Sequence, residues 1–98
     1  MVFCGPDWPE SFRGKLLMGR FGNMITSPDV GFDLLTVSLQ RNADHVYEAH
    51  AETFLAPVAR PLDLLQIGRK LYILEYSRPI GTKTGRPLNP GRILELSW

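Results

Sequence analysis

The chain has 98 residues, enough for one domain around a single modest core. Hydrophobic residues make up 44% and charged residues 21%, which is ordinary globular usage and excludes wholesale disorder. Eleven Lys and Arg against ten Asp and Glu leave a net charge of +1, so a polyanionic partner would have to be met by cations segregated on the surface.

Residues 1–13 read as an irregular N-terminal segment, because Pro6 and Pro9 oppose regular pairing and Gly5 loosens it. Trp8 and Phe12 are expected to tuck against the body. The segment has no basic stretch followed by an apolar run of signal length. No run in the chain approaches the about 20 apolar residues of a membrane span. Cys4 is alone and can close no internal disulfide, so a soluble, cytoplasmic setting is expected.

Residues 15–21, KLLMGRF, read as a first strand interrupted at Gly19 by a bulge or bend. Residues 22–32 are rich in turn formers, with Ser27-Pro28-Asp29 and Gly31 marking a hairpin connection. Residues 33–41, DLLTVSLQR, alternate as a second strand, and Asn42-Ala43-Asp44 follows as a tight turn. Residues 46–54 form a third strand. Tyr47, Ala49, Ala51 and Thr53 share one face, where the small alanines suggest crowding by a neighbour. Val46, Glu48, His50, Glu52 and Phe54 share the other.

Residues 57–67 hold the one expected helix, with Pro61 in its first turn, a stripe of Leu62, Leu65 and Ile67, and Gly68 as a left-handed stop. Residues 70–77 are a fourth strand, with Leu71 and Ile73 inward and Tyr72 and Tyr76 outward. A loop over 78–91 carries three prolines and three glycines, and 92–97, RILELS, is the last strand. Five short strands with one short helix between strands 3 and 4 predict an all-β single domain over 1–98, an OB-fold-like Greek-key barrel. Closure would also remove exposed edges from so small a sheet.

Several segments, taken in order, resemble the bacterial single-stranded-DNA-binding protein family. They are "GKLLMGRFGN", the turn "SPD", "LLTVSLQRN", "VYEAHAETFLAPVA", "LLQIGRKLYILEY" and the closing "GRILEL". The resemblance spans about residues 14–96. It implies the OB-fold and sequence-tolerant binding of single-stranded DNA. It departs from that family at Asp44-His45-Val46-Tyr47, where an aromatic usually opens the third strand, and at Thr82-Lys83-Thr84, where a later stacking aromatic is missing. The family's acidic, partner-recruiting tail has no counterpart here, so a tail-less relative such as the primosomal proteins of the same superfamily is the expected kind.

Single-strand binding needs cations for phosphates and aromatic faces for bases. The candidate cations are Arg41, Arg69, Lys70, Arg78, Lys83 and Arg86. Residues 78–92 hold Arg78, Lys83, Arg86 and Arg92 and no acid. The candidate stacking faces are Tyr72, Tyr76, Phe54 and Phe21. From these, the expected nucleic-acid-binding set is Arg41, Phe54, Arg69, Tyr72, Tyr76, Arg78, Lys83 and Arg86. Single-stranded DNA is the expected partner, with RNA an alternative, together with a homo-oligomer formed through an open strand edge.

No nucleotide-loop, zinc or Ser-His-Asp pattern is present, so no catalytic residue, metal or cofactor is expected. The row Glu48, His50, Glu52 offers an enzyme or ligand-binding barrel as one rival reading. The exposed tyrosines offer a protein-docking module as another.

Overall fold

The computed structural model describes residues 1–22, 31–76 and 91–98. Two antiparallel sheets make up the fold. The first has the order β1-β2-β3-β4, from β1 (Val2–Phe3), β2 (Leu16–Arg20), β3 (Asp33–Arg41) and β4 (Tyr47–Leu55). The second has the order β5-β6-β7, from β5 (Pro61–Ile67), β6 (Lys70–Glu75) and β7 (Arg92–Ser97). Among the described residues no helix is long and apolar enough to cross a membrane.

The all-β class is as expected, but among the described residues the closed five-stranded barrel is not found: seven strands lie in two open sheets. The departure begins at residues 57–67. The expected helix is strand β5, paired with β6 from Ile67↔Lys70 to Pro61↔Glu75 through a bulge at Leu62. Gly68 does have positive φ, +58°, but it opens the two-residue turn of a β-hairpin and does not end a helix. Leu64 is buried inward, while Leu65 and Ile67 are exposed outward. A helical stripe and a strand alternation compete over so short a stretch, and pairing with β6 decides it.

The N-terminal segment is also more ordered than expected. Val2 pairs with Leu17 and Phe3 with Leu16, and a 3₁₀ turn covers Glu10–Phe12. Trp8 and Phe12 are tucked in as expected. Trp8 is buried, and its indole Nε1 donates to Gln66 Oε1 at 2.8 Å, tying the N-terminal segment to the second sheet. Trp98 stacks on Trp8 at 4.3 Å between ring centres, and its own Nε1 donates to the Asp7 carbonyl at 2.7 Å.

One core serves both sheets. Leu17 and Leu34 come from the first sheet; Leu64, Leu71 and Ile73 come from the second; Cys4, Trp8 and Val58 fill between them. Leu71 and Ile73 point inward as their alternation required. The sheets approach closely at Gly19, where a Cβ would lie 3.0 Å from the Pro61 ring. Gly19 itself pairs regularly with Leu34. The irregularity expected there lies on the other side of β3, in its pairing with β4 between Leu34 and Leu35.

Hairpin β3–β4 runs out beyond this core as an arm. Its turn is built by Asn42, whose Oδ1 accepts from the Asp44 and Val46 amides at 2.9 and 3.1 Å, with His45 at φ +62°. The alanines of β4 do not face a crowded interior: Ala49 and Ala51 are exposed, opposite Leu39 and Val37.

Candidate functional site

The end of the molecule where β6 finishes collects aromatic rings and a cation. β6 stops at Glu75, and Tyr76 leaves the strand with its amide donating to the Arg60 carbonyl at 3.0 Å. Its ring is 52% exposed and lies 6.1 Å from that of Phe21. The Arg60 guanidinium sits over both Phe21 and Phe32, 4.9 and 4.8 Å from their ring centres. Phe32 is buried and stands at φ +58°. Gly22, at φ +97°, packs so close to that ring that a Cβ there would lie 2.6 Å from it. The backbone of Gly22 thus sits flat against one ring of the cluster.

Ion pairs frame the cluster. Arg20 grips Asp33 through two bonds, at 2.7 and 2.5 Å, and the pairing holds the Arg20 guanidinium's pKa above its ordinary value. Arg92 Nε donates to Glu75 Oε2 at 3.1 Å, and the Glu75 side chain is almost wholly buried. Arg92 closes the acid-free run 78–92, and its charge is committed to Glu75.

The sequence-expected site residues do not converge on one spot. Tyr76 and Phe21 meet, as described. Tyr72 belongs to a different surface, the outer face of the second sheet. There its hydroxyl lies beside the carboxylate of Glu95, its partner on β7, and Glu95 is in turn 3.4 Å from Lys70. A shallow depression of about 200 Å³ opens beside it, lined by Leu65, Leu74 and Ile93 with Asp63 at the rim. The Glu95 carboxylate beside Tyr72 disfavours phosphate there.

Phe54 is not an exposed stacking face. It is half-buried and packs edge-on against Phe12 at 5.3 Å and Trp8 at 6.2 Å. Arg69 is exposed in the β5–β6 turn, roughly 20 Å from Tyr76 at about 3.3 Å per strand residue. Arg41 is exposed at the tip of the arm, 2.5 Å from His45 Nδ1. Arg78, Lys83 and Arg86 lie outside the described residues.

Arg60 was not singled out from the sequence, and nothing local marks it: the rings it covers belong to residues distant along the chain. The row Glu48, His50 and Glu52 is exposed on one face of the arm, with His50 Nε2 4.0 Å from Glu48 Oε2. Among the described residues no group of three or more His, Cys, Asp or Glu side chains is placed to hold a metal ion. No protein-family model matches the chain, and no curated protein or solved structure matches it.

Proposed function

We propose that this chain binds single-stranded nucleic acid, DNA foremost, with little sequence preference, on the ledge formed by Tyr76, Phe21 and Arg60. The observation that carries the reading is the half-exposed Tyr76 ring next to Phe21, with a guanidinium alongside. The sequence that follows adds Arg78, Lys83 and Arg86, and no acid falls between Tyr76 and Arg92. Bases stack on any aromatic face, and phosphates follow cations, so this composition suits a strand of any sequence. The reading does not require a closed barrel.

Titration of a labelled oligo-dT, followed by anisotropy, tests it. Affinity should fall steeply with salt, and Tyr76→Ala should weaken binding by about 1–3 kcal/mol, the worth of one stacked base. The double change Arg78→Ala with Lys83→Ala should flatten the salt slope by roughly 1.4, about 0.7 per phosphate contact on a single strand. No measurable affinity at low salt would sink the reading. It would favour the docking-module alternative, which the outward Leu65, Ile67, Leu74 and Ile93 support.

A further inference from the structure

We infer that the open edge of β4 is a self-pairing strand: two copies of the chain join antiparallel through it, in two-fold register about Ala51. Two four-stranded sheets then become one sheet of eight strands. This does not depend on the nucleic-acid reading.

The edge is open. β4 ends the order β1-β2-β3-β4, and every residue from Tyr47 to Thr53 is exposed. The hydrogen-bond phase follows from the turn, where the Asn42 amide donates to the Val46 carbonyl at 2.8 Å. Bonded pairs alternate in an antiparallel ladder, so Glu48, His50 and Glu52 turn their backbone groups toward β3. Tyr47, Ala49, Ala51 and Thr53 turn theirs outward. The strand contains no proline and no lysine, and its bulge falls only after Thr53, so Tyr47–Thr53 stays available for pairing.

The imidazole and carboxylates of one face select the partner and the register. About Ala51, the regular stretch that ends at the bulge after Thr53 pairs with itself, Ala49 opposite Thr53 of the second copy. His50 then faces Glu52 of the second copy, and Glu52 faces its His50. On the other side of the sheet, Ala51 meets Ala51 and Ala49 meets Thr53, small enough for close backbone approach. A two-fold about His50 would instead set Glu48 against Glu52 and His50 against itself. One about Glu52 would oppose two glutamates, and like charges directly opposite disfavour pairing. A two-fold about Ala49 also matches Glu48 with His50, but sets the bulky Tyr47 ring opposite Ala51 on the other face. The register about Ala51 alone sets each imidazole against a carboxylate while leaving only small side chains, Ala49, Ala51 and Thr53, on the other face.

Sedimentation velocity over a range of protein concentrations should show a monomer–dimer equilibrium. Ala51→Pro removes an amide that points outward, so β3–β4 keeps its ladder while the edge is blocked; the variant should stay monomeric with an unchanged circular dichroism spectrum. His50→Glu should weaken association at least tenfold, and adding Glu52→Lys to the same chain should restore it.

Register is read by cross-linking. Under mild oxidation Ala51→Cys should form an intermolecular disulfide, since opposed Cα atoms in a bonded pair lie about 5.5 Å apart. His50→Cys should not. A wild-type chain that remains monomeric, a dimer indifferent to Ala51→Pro, or cross-linking through position 50 in preference to 51 would each overturn the assignment.

Discussion

Tyr72 and Tyr76 are four positions apart and do different work. The hydrogen bond from the Tyr72 hydroxyl to Glu95 raises that hydroxyl's pKa above the ordinary tyrosine value, and the same bond lowers the Glu95 pKa below the usual carboxylate value. A raised tyrosine contributes stability that is full below its ordinary pKa and lost as pH rises through the folded value. A lowered carboxylate contributes stability that is full above its ordinary pKa and lost as pH falls through the folded value. The tie is therefore intact across neutral pH and opens at both extremes. Phenolate absorbance should show a transition above the ordinary tyrosine range, and Glu95→Gln should bring that late transition down. A Tyr72 transition that ignores Glu95→Gln would show that the bond is not formed in solution. The outward direction of Tyr72 was legible from alternation with Leu71 and Ile73. The carboxylate across from it was not, because register between β6 and β7 depends on a connection whose length says nothing about pairing.

Strands were legible where alternation was strong and unambiguous. β3 and β7 run over Asp33–Arg41 and Arg92–Ser97, as their period of two required, and β4 is displaced from expectation by one residue. β1 is two residues long and carries no pattern at all. β5 was readable in principle: the runs 61–67 and 70–75 flank two residues beginning with glycine, which is a hairpin signal. Proline before a Leu-rich stretch pointed equally to a helix start. The hairpin makes its own demand at Gly68, whose φ of +58° lies in the left-handed region with nothing within 4 Å of a would-be Cβ. Space is thus not the constraint; backbone conformation is. Gly68→Val should destabilise by about 1–2 kcal/mol, while Gly68→Asn, which tolerates that region, should cost much less. Equal losses in thermal unfolding would mean that the turn does not hold this conformation.

At the scale of the whole molecule, five strands and a helix suggested closure, and the conversion of that helix into β5 prevents it. A strand there starts a second sheet by pairing forward with β6, so among the described residues both sheets are meanders with free edges. What unites them is one shared set of side chains: Leu17 and Leu34 against Leu71 and Ile73, with Trp8 bridging from the N-terminal segment to Gln66. Neither sheet has a second apolar layer of its own to bury these residues, so neither should persist without the other. Leu17→Ala in the first sheet and Leu71→Ala in the second each empty a fully buried site and should each cost about 2–5 kcal/mol. In denaturant, tryptophan fluorescence reports the Trp8–Trp98 junction, while far-ultraviolet circular dichroism reports strand content in both sheets. The two curves should coincide for the wild type and shift together in either variant, because the lost packing belongs to a common core. If Leu71→Ala instead separates the curves, leaving a folded first sheet behind, the two sheets are independent units and the single-core account fails.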